Sequence, residues 1–163
     1  MRRFWCVLVL ALAASVALGR SYTLEEAAEA VRRATGEVLV QVAVLDLKPL
    51  AEALREAMVK GGVKVYLLTT DSGLTHPKSY GPSLALAGAV VRFAPRVDGE
   101  FVVVDRKEAI RLLRGYVGLS LEGAEPAPLV ERFYFAFLRG VPFAVEDWVH
   151  RLYIREYVKG GGR

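Results

Sequence analysis

Residues 37–44 read Glu-Val-Leu-Val-Gln-Val-Ala-Val, a β-branched run bounded by Gly36 and Asp46. A strand that stays apolar at successive positions is covered on both faces. Two further runs have the same character, Val63–Thr69 and Ala89–Phe93. Helix-forming stretches separate them. Asp46 and Pro49 open an Ala/Glu/Leu-rich segment that reaches Lys60 and stops at Gly61-Gly62, with Leu50, Leu54, Ala57 and Met58 on one face. Thr70–Pro82 reads as a loop, and Ser83–Ala87 as a short helix ended by Gly88. Ahead of all this, Thr23 and Glu26 have capping-box spacing, and Leu24, Ala27, Ala28, Val31 and Ala34 recur at helical spacing up to Gly36.

Past Pro95 and Gly99, Phe101–Val104 reads as a fourth strand. Asp105-Arg106-Lys107 is a tight turn into a fifth, Glu108–Leu113. The remainder reads as mainly helical, with one helix between Pro126/Pro128 and Gly140 and another over Val145–Val158. The aromatics Phe133, Tyr134, Phe135, Phe137 and Phe143 are spaced for packing rather than for a ligand platform. This order predicts an α/β fold with a mainly parallel sheet and helices on both faces. Ligand sites in such sheets lie beyond the carboxyl ends of the strands, here the loops after Val44, Thr69 and Phe93.

The N-terminal residues bear on where the domain works. Arg2 and Arg3 precede the uncharged run Phe4–Leu18, and Ala17-Leu18-Gly19 supplies small residues before Arg20. Residues 1–19 therefore read as a secretory signal peptide and 20–163 as one working domain, placed in a periplasm or outside the cell. The alternative, a retained anchor, needs a longer run: fifteen residues rise only roughly 22 Å against a bilayer core of about 30 Å. No other long apolar run follows, so no membrane span is expected once the signal is gone. The sole cysteine is Cys6, within the signal, which excludes a disulfide framework and a cysteine-based zinc site from the working domain. The full chain carries 22 basic and 18 acidic residues, a balance that gives no argument for nucleic acid by charge.

Three stretches taken together resemble the phospholipase D-like superfamily, the HKD phosphodiesterases. They are Leu50–Leu68 (LAEALREAMVKGGVKVYLL), Leu84–Pro95 (LALAGAVVRFAP) and Asp98–Ile110 (DGEFVVVDRKEAI), with the Leu129–Leu138 helix placed where that family closes its domain. The resemblance implies a phosphodiesterase scaffold. In that scaffold a His attacks phosphorus, a Lys two residues on holds the phosphoryl oxygens, and an Asp stands seven residues after the His. It also implies pairing of two motifs, here through a homodimer or an active relative, around a phosphodiester ligand such as nucleic acid or a lipid headgroup. No metal or other cofactor is implied.

Aligned on Asp105, the His position is Asp98 and the Lys position is Glu100. Glu100 would repel a phosphate where Lys attracts it. Gly118-Leu119-Ser120 is a faint echo of the family's downstream signature. His76-Pro77-Lys78 offers the His-x-Lys spacing elsewhere, but its seventh position is Ser83, and Pro77 and Pro82 do not suit a strand. The carboxylates Asp98, Glu100 and Asp105 raise metal binding, yet regular alternation sets Asp105 on the opposite face from the other two. His150 has no carboxylate motif beside it.

Three functions follow. The first is an exported, degenerate phospholipase D-like domain that binds or scaffolds without catalysis. The second is an active phosphodiesterase, nuclease or phospholipase, that uses His76 and Lys78 with Asp105. The third is an unrelated α/β envelope protein.

Overall fold

The computed structural model describes residues 19–149. The two-residue strand β1 (Ser21–Tyr22) leads into α1 (Leu24–Arg32). The capping box forms: Thr23 Oγ1 accepts from the Glu26 N–H at 3.1 Å, and Glu26 Oε2 accepts from the Thr23 N–H at 2.8 Å. The chain then runs β2 (Glu37–Gln41), α2 (Lys48–Gly61), β3 (Lys64–Thr70), α3 (Asp71–Thr75), α4 (Gly81–Leu86) and β4 (Val90–Ala94). Next come β5 (Glu100–Val104), β6 (Glu108–Gly115), β7 (Gly118–Ala124), α5 (Pro126–Arg139) and β8 (Val141–Pro142). Gly62, at φ +63°, ends α2 in the left-handed conformation that glycine adopts freely.

All eight strands join one sheet in the order β1-β7-β6-β5-β2-β3-β4-β8. Only β2–β3 and β3–β4 are parallel; the other pairs are antiparallel. The expected mainly parallel sheet is thus corrected to a mixed, mostly antiparallel one. The physical reason is connection length. α2 and the α3–α4 segment are crossovers, which parallel pairing requires, whereas β5, β6 and β7 follow one another through turns too short for anything but hairpins. The hairpin strand β7 replaces what the sequence predicted as the start of a mainly helical remainder.

Helices cover both faces, as expected. On one side α1 and α2 bury Val38, Val40, Val42 and Val65 beneath Val31, Leu50 and Leu54. On the other, α5 packs Leu129, Phe133 and Phe137 onto Leu39, Leu68, Phe101 and Val103. This two-sided burial is why 37–44 is apolar at consecutive positions. The α5 aromatics are core: Phe133 stacks on Phe137 with ring centroids 5.1 Å apart, and Tyr66 meets Phe137 edge-on at 5.8 Å. Residues 145–149 are helical; the rest of the expected final helix, with His150, and the signal region before Gly19 lie outside the described residues. Among the described residues no helix is long and apolar enough to cross a membrane.

Candidate functional site

β2, β3 and β4 point the same way, so their carboxyl ends, the start of β5 and the end of β6 share one edge of the sheet. Asp98 and Glu100 lie there. Gln41, at the end of β2, is 1% exposed, and its Nε2 donates to the carbonyl oxygens of Asp98 at 2.9 Å and Gly99 at 3.0 Å. That clamp fixes the turn into β5 and sets where Asp98 and Glu100 stand. The Gln41 Oε1 has no protein partner.

Glu100 is bound on both carboxylate oxygens. Oε1 accepts the Ala43 N–H at 2.9 Å, and Oε2 accepts Arg114 Nε at 2.7 Å. Arg114 reaches across from the end of β6. Its Nη2 also donates to Asp46 Oδ1 at 2.7 Å and to the Val44 carbonyl at 3.2 Å. Burial pushes the Asp46 carboxyl up, but the Arg114 hydrogen bond and charge outweigh it and hold the group below its ordinary range. Burial likewise disfavours the Arg114 cation, and its bonds to Asp46 and Glu100 more than restore it. Asp98 points outward, 90% exposed, with Arg132 Nη1 3.7 Å away. Asp46, Asp98 and Glu100 thus face Arg114 and Arg132. Among these five groups the carboxylates outnumber the guanidiniums, and Arg114 is already committed to two carboxylates.

Asp105 stands at the opposite edge. β5 carries it five residues beyond Glu100, roughly 17 Å at a strand's rise. Its carboxylate accepts the backbone N–H groups of Thr35 (2.9 Å), Gly36 (2.8 Å) and Glu37 (3.0 Å). Burial raises its pKa and these three donors lower it further, so that it titrates below its ordinary value. Asp105 also starts the turn into β6, where it and Arg106 have φ of +49° and +57°. It holds the α1–β2 connection against the β5–β6 hairpin.

His76 caps the C-terminus of α3 on the carboxyl-end edge, and its Nδ1 accepts the Lys78 N–H at 3.2 Å. His76 and Lys78 are therefore close to each other, while Asp105 lies across the sheet from both. The sequence reading missed Arg114, Asp46 and Gln41. Arg114 had one available signal, a β5–β6 hairpin register that pairs Glu100 with Leu112 and so sets Arg114, two residues on, diagonal to Glu100 on the same face. Asp98, Glu100 and Asp105 do not converge, and among the described residues no group of three or more His, Cys, Asp or Glu is arranged to hold a metal ion.

Residues 13–125 match the family described as "Transcriptional regulator TrmB, EBD N-terminal subdomain". The chain belongs to this TrmB family. The match begins within the stretch that reads as a signal and ends with β7. No curated protein matches the chain. Among solved structures, TrmBL2, described as an archaeal chromatin protein with a novel mode of DNA binding, is 17% identical at a TM-score of 0.54. The match takes in 87% of this chain but only 62% of TrmBL2, so the chain spans less than two thirds of that protein. Nuc from Salmonella typhimurium, a phospholipase D family member, is 14% identical at a TM-score of 0.60, over 72% of this chain and 88% of Nuc. NucT from Helicobacter pylori is 13% identical at 0.63, over 74% and 90%. These likenesses establish a phospholipase D-like fold within the TrmB family. The expected fold resemblance stands on them; the HKD chemistry does not.

Proposed function

We propose that this chain is a non-catalytic, phospholipase D-like binding domain of the regulator type to which TrmB belongs, exported after loss of residues 1–19. The observation that carries the reading is Glu100. Where the phosphodiesterases need a lysine free to meet phosphoryl oxygens, this chain has a carboxylate bonded to Ala43 and Arg114. A phosphate there would be repelled by the Glu100 carboxylate and would compete with Glu100 and Asp46 for the guanidinium. The TrmB family match supports a regulatory role over a hydrolytic one. Pairing with a second copy or with an active relative belongs to this reading, as does DNA binding of the kind described for TrmBL2. The near balance of 22 basic and 18 acidic residues gives DNA no special support.

The full chain incubated with bis(p-nitrophenyl) phosphate, in EDTA and in divalent metal, is expected to release no nitrophenol. Metal-indifferent hydrolysis that disappears in His76→Ala would overturn the reading in favour of an enzyme built on His76 and Lys78. Salt-sensitive retention of duplex DNA in a gel would direct the search for a ligand to nucleic acid. Mass spectrometry of the protein recovered outside the cytoplasm tests the cut before Arg20.

A further inference from the structure

A cleft of about 660 Å³ opens between the α3–α4 segment and the chain from β8 to Trp148. Its position follows from three local features. Thr70 caps α3, its Oγ1 accepting the Gly73 N–H at 3.1 Å, and so turns Asp71 to the start of that helix. β8 pairs with the outer edge of β4, and the Phe143 N–H continues the ladder to the Val91 carbonyl at 3.0 Å. The helical turn at 145–149 then brings Trp148 back to Phe143, ring centroids 6.3 Å apart at 66°.

The lining is distinctive in charge. Asp71 and Asp147 are its acidic groups, one from each wall, and among the described residues no Lys or Arg lines it. Phe93, Phe143 and Trp148 supply aromatic surface between them. The volume is that of a site for a small molecule. Two carboxylates that attract a cation, aromatic faces whose quadrupole does the same, and the lack of a lysine or arginine beside the single imidazole of His76 together favour a cation over phosphates and carboxylates.

We propose that this cleft binds a small organic cation, an ammonium or quaternary ammonium compound with an apolar body. The charged head sits between Asp71 and Asp147, and the body lies against Trp148 and Phe143. The proposal rests on the reading of the chain as a binding domain and gives that domain a ligand class. It uses none of Asp98, Glu100 or Arg114. His76, on which hydrolysis would depend, also lines the cleft, so the two readings are told apart by ligand: choline binding requires no release of nitrophenol.

The chain has two tryptophans, Trp5 and Trp148, and Trp148 lines the cleft. In the full chain carrying Trp5→Phe, Trp148 is the single tryptophan and its fluorescence reports on the cleft. Titration with choline is expected to give a saturable change, and titration with dimethylbutanol, its uncharged carbon isostere, a much weaker one. In Asp71→Asn/Asp147→Asn choline binding is expected to weaken about fivefold or more, with an unchanged thermal melt. No saturable response to choline, an equal response to the alcohol, or full choline affinity in the double variant would each overturn the proposal. The isostere comparison needs no variant, so the test survives if the double variant folds poorly.

Discussion

Glu100 on β5 and Arg114 on β6 form a 2.7 Å ion pair at the edge of the sheet where β2, β3 and β4 end. The pair is one part of a larger arrangement. The Glu100 carboxylate also satisfies the Ala43 N–H, and the guanidinium also spans to Asp46, so two side chains tie β5, β6 and the loop after β2 together. Glu100 has 13% of its side chain exposed and Arg114 39%, so the pair is partly sheltered from water and is not a loose surface contact.

Substituting Asp98→His/Glu100→Lys is expected to yield no phosphodiesterase. The new lysine would face Arg114, and the Ala43 N–H would lose its acceptor. The cost is about 2–3 kcal/mol, the range for breaking a charged, sheltered hydrogen bond. Urea denaturation of the double variant and of Asp98→His alone measures it, and the loss should follow Glu100→Lys. Gain of metal-indifferent hydrolysis in the folded double variant would show instead that the phosphoryl site is intact.

How much of this could be read beforehand depended on whether the signal was local. The run 37–44 disclosed a strand covered on both faces because both flanking layers leave their mark on consecutive residues of one segment. The capping box at Thr23 and Glu26, the α2 stop at Gly62 and the turn at Asp105 are likewise local. β7 was missed because Leu121 is its one buried residue, too little for a period-two pattern to show. β1 and β8 are two residues each. The insertion of β5 beside β2 is a contact between distant segments, and no single window of sequence records it. The same holds for the site: Arg114 and Asp46 are 68 residues apart, and their pairing exists only once the sheet order is known.

Gly73 is a position where the fold leaves no room for a side chain. A Cβ there would run into Thr69 Oγ1 and the Ala43 carbonyl oxygen, backbone that also receives the Thr69 and Thr70 hydroxyls. Gly73→Ala is expected to cost about 2–3 kcal/mol, a fall in Tm of roughly 5–10 °C. Gly115→Ala, where the nearest atom to a Cβ is 3.9 Å away, should leave the melt nearly unchanged. Equal melts for the two variants would mean that α3 shifts to accommodate the methyl.

The α5 aromatics divide by face. Phe133 is fully buried, while Phe135, two residues on, is 62% exposed with Arg139 over its ring. Phe133→Ala is expected to destabilise by about 3–5 kcal/mol through the cavity it leaves. Phe135→Ala should stay within about 0.5 kcal/mol, as for most surface changes. Denaturant midpoints with unchanged slopes would establish both; a large loss in Phe135→Ala would mark its face as packed against something else.

Asp105 makes the acid limb of stability testable. Its folded pKa lies below the ordinary value because the donors at Thr35, Gly36 and Glu37 outweigh burial. A depressed carboxylate contributes stability that is fully present above its unfolded pKa, about 3.9, and is lost as pH falls through the folded one. Asp46 has the same sign. Stability should therefore be level near neutrality and decline below about pH 4. Asp105→Asn removes the charge and tolerates a positive φ, but it also replaces one of two accepting oxygens with an N–H donor that faces backbone N–H groups. The variant should be less stable than the native chain at pH 7, with the gap closing as the solution is acidified, because the native chain alone has a charge to lose. Chemical denaturation at a series of pH values reads the difference directly: the part of the gap that closes in acid belongs to the carboxylate's charge, and a gap that stays constant would assign the cost to the lost acceptor instead.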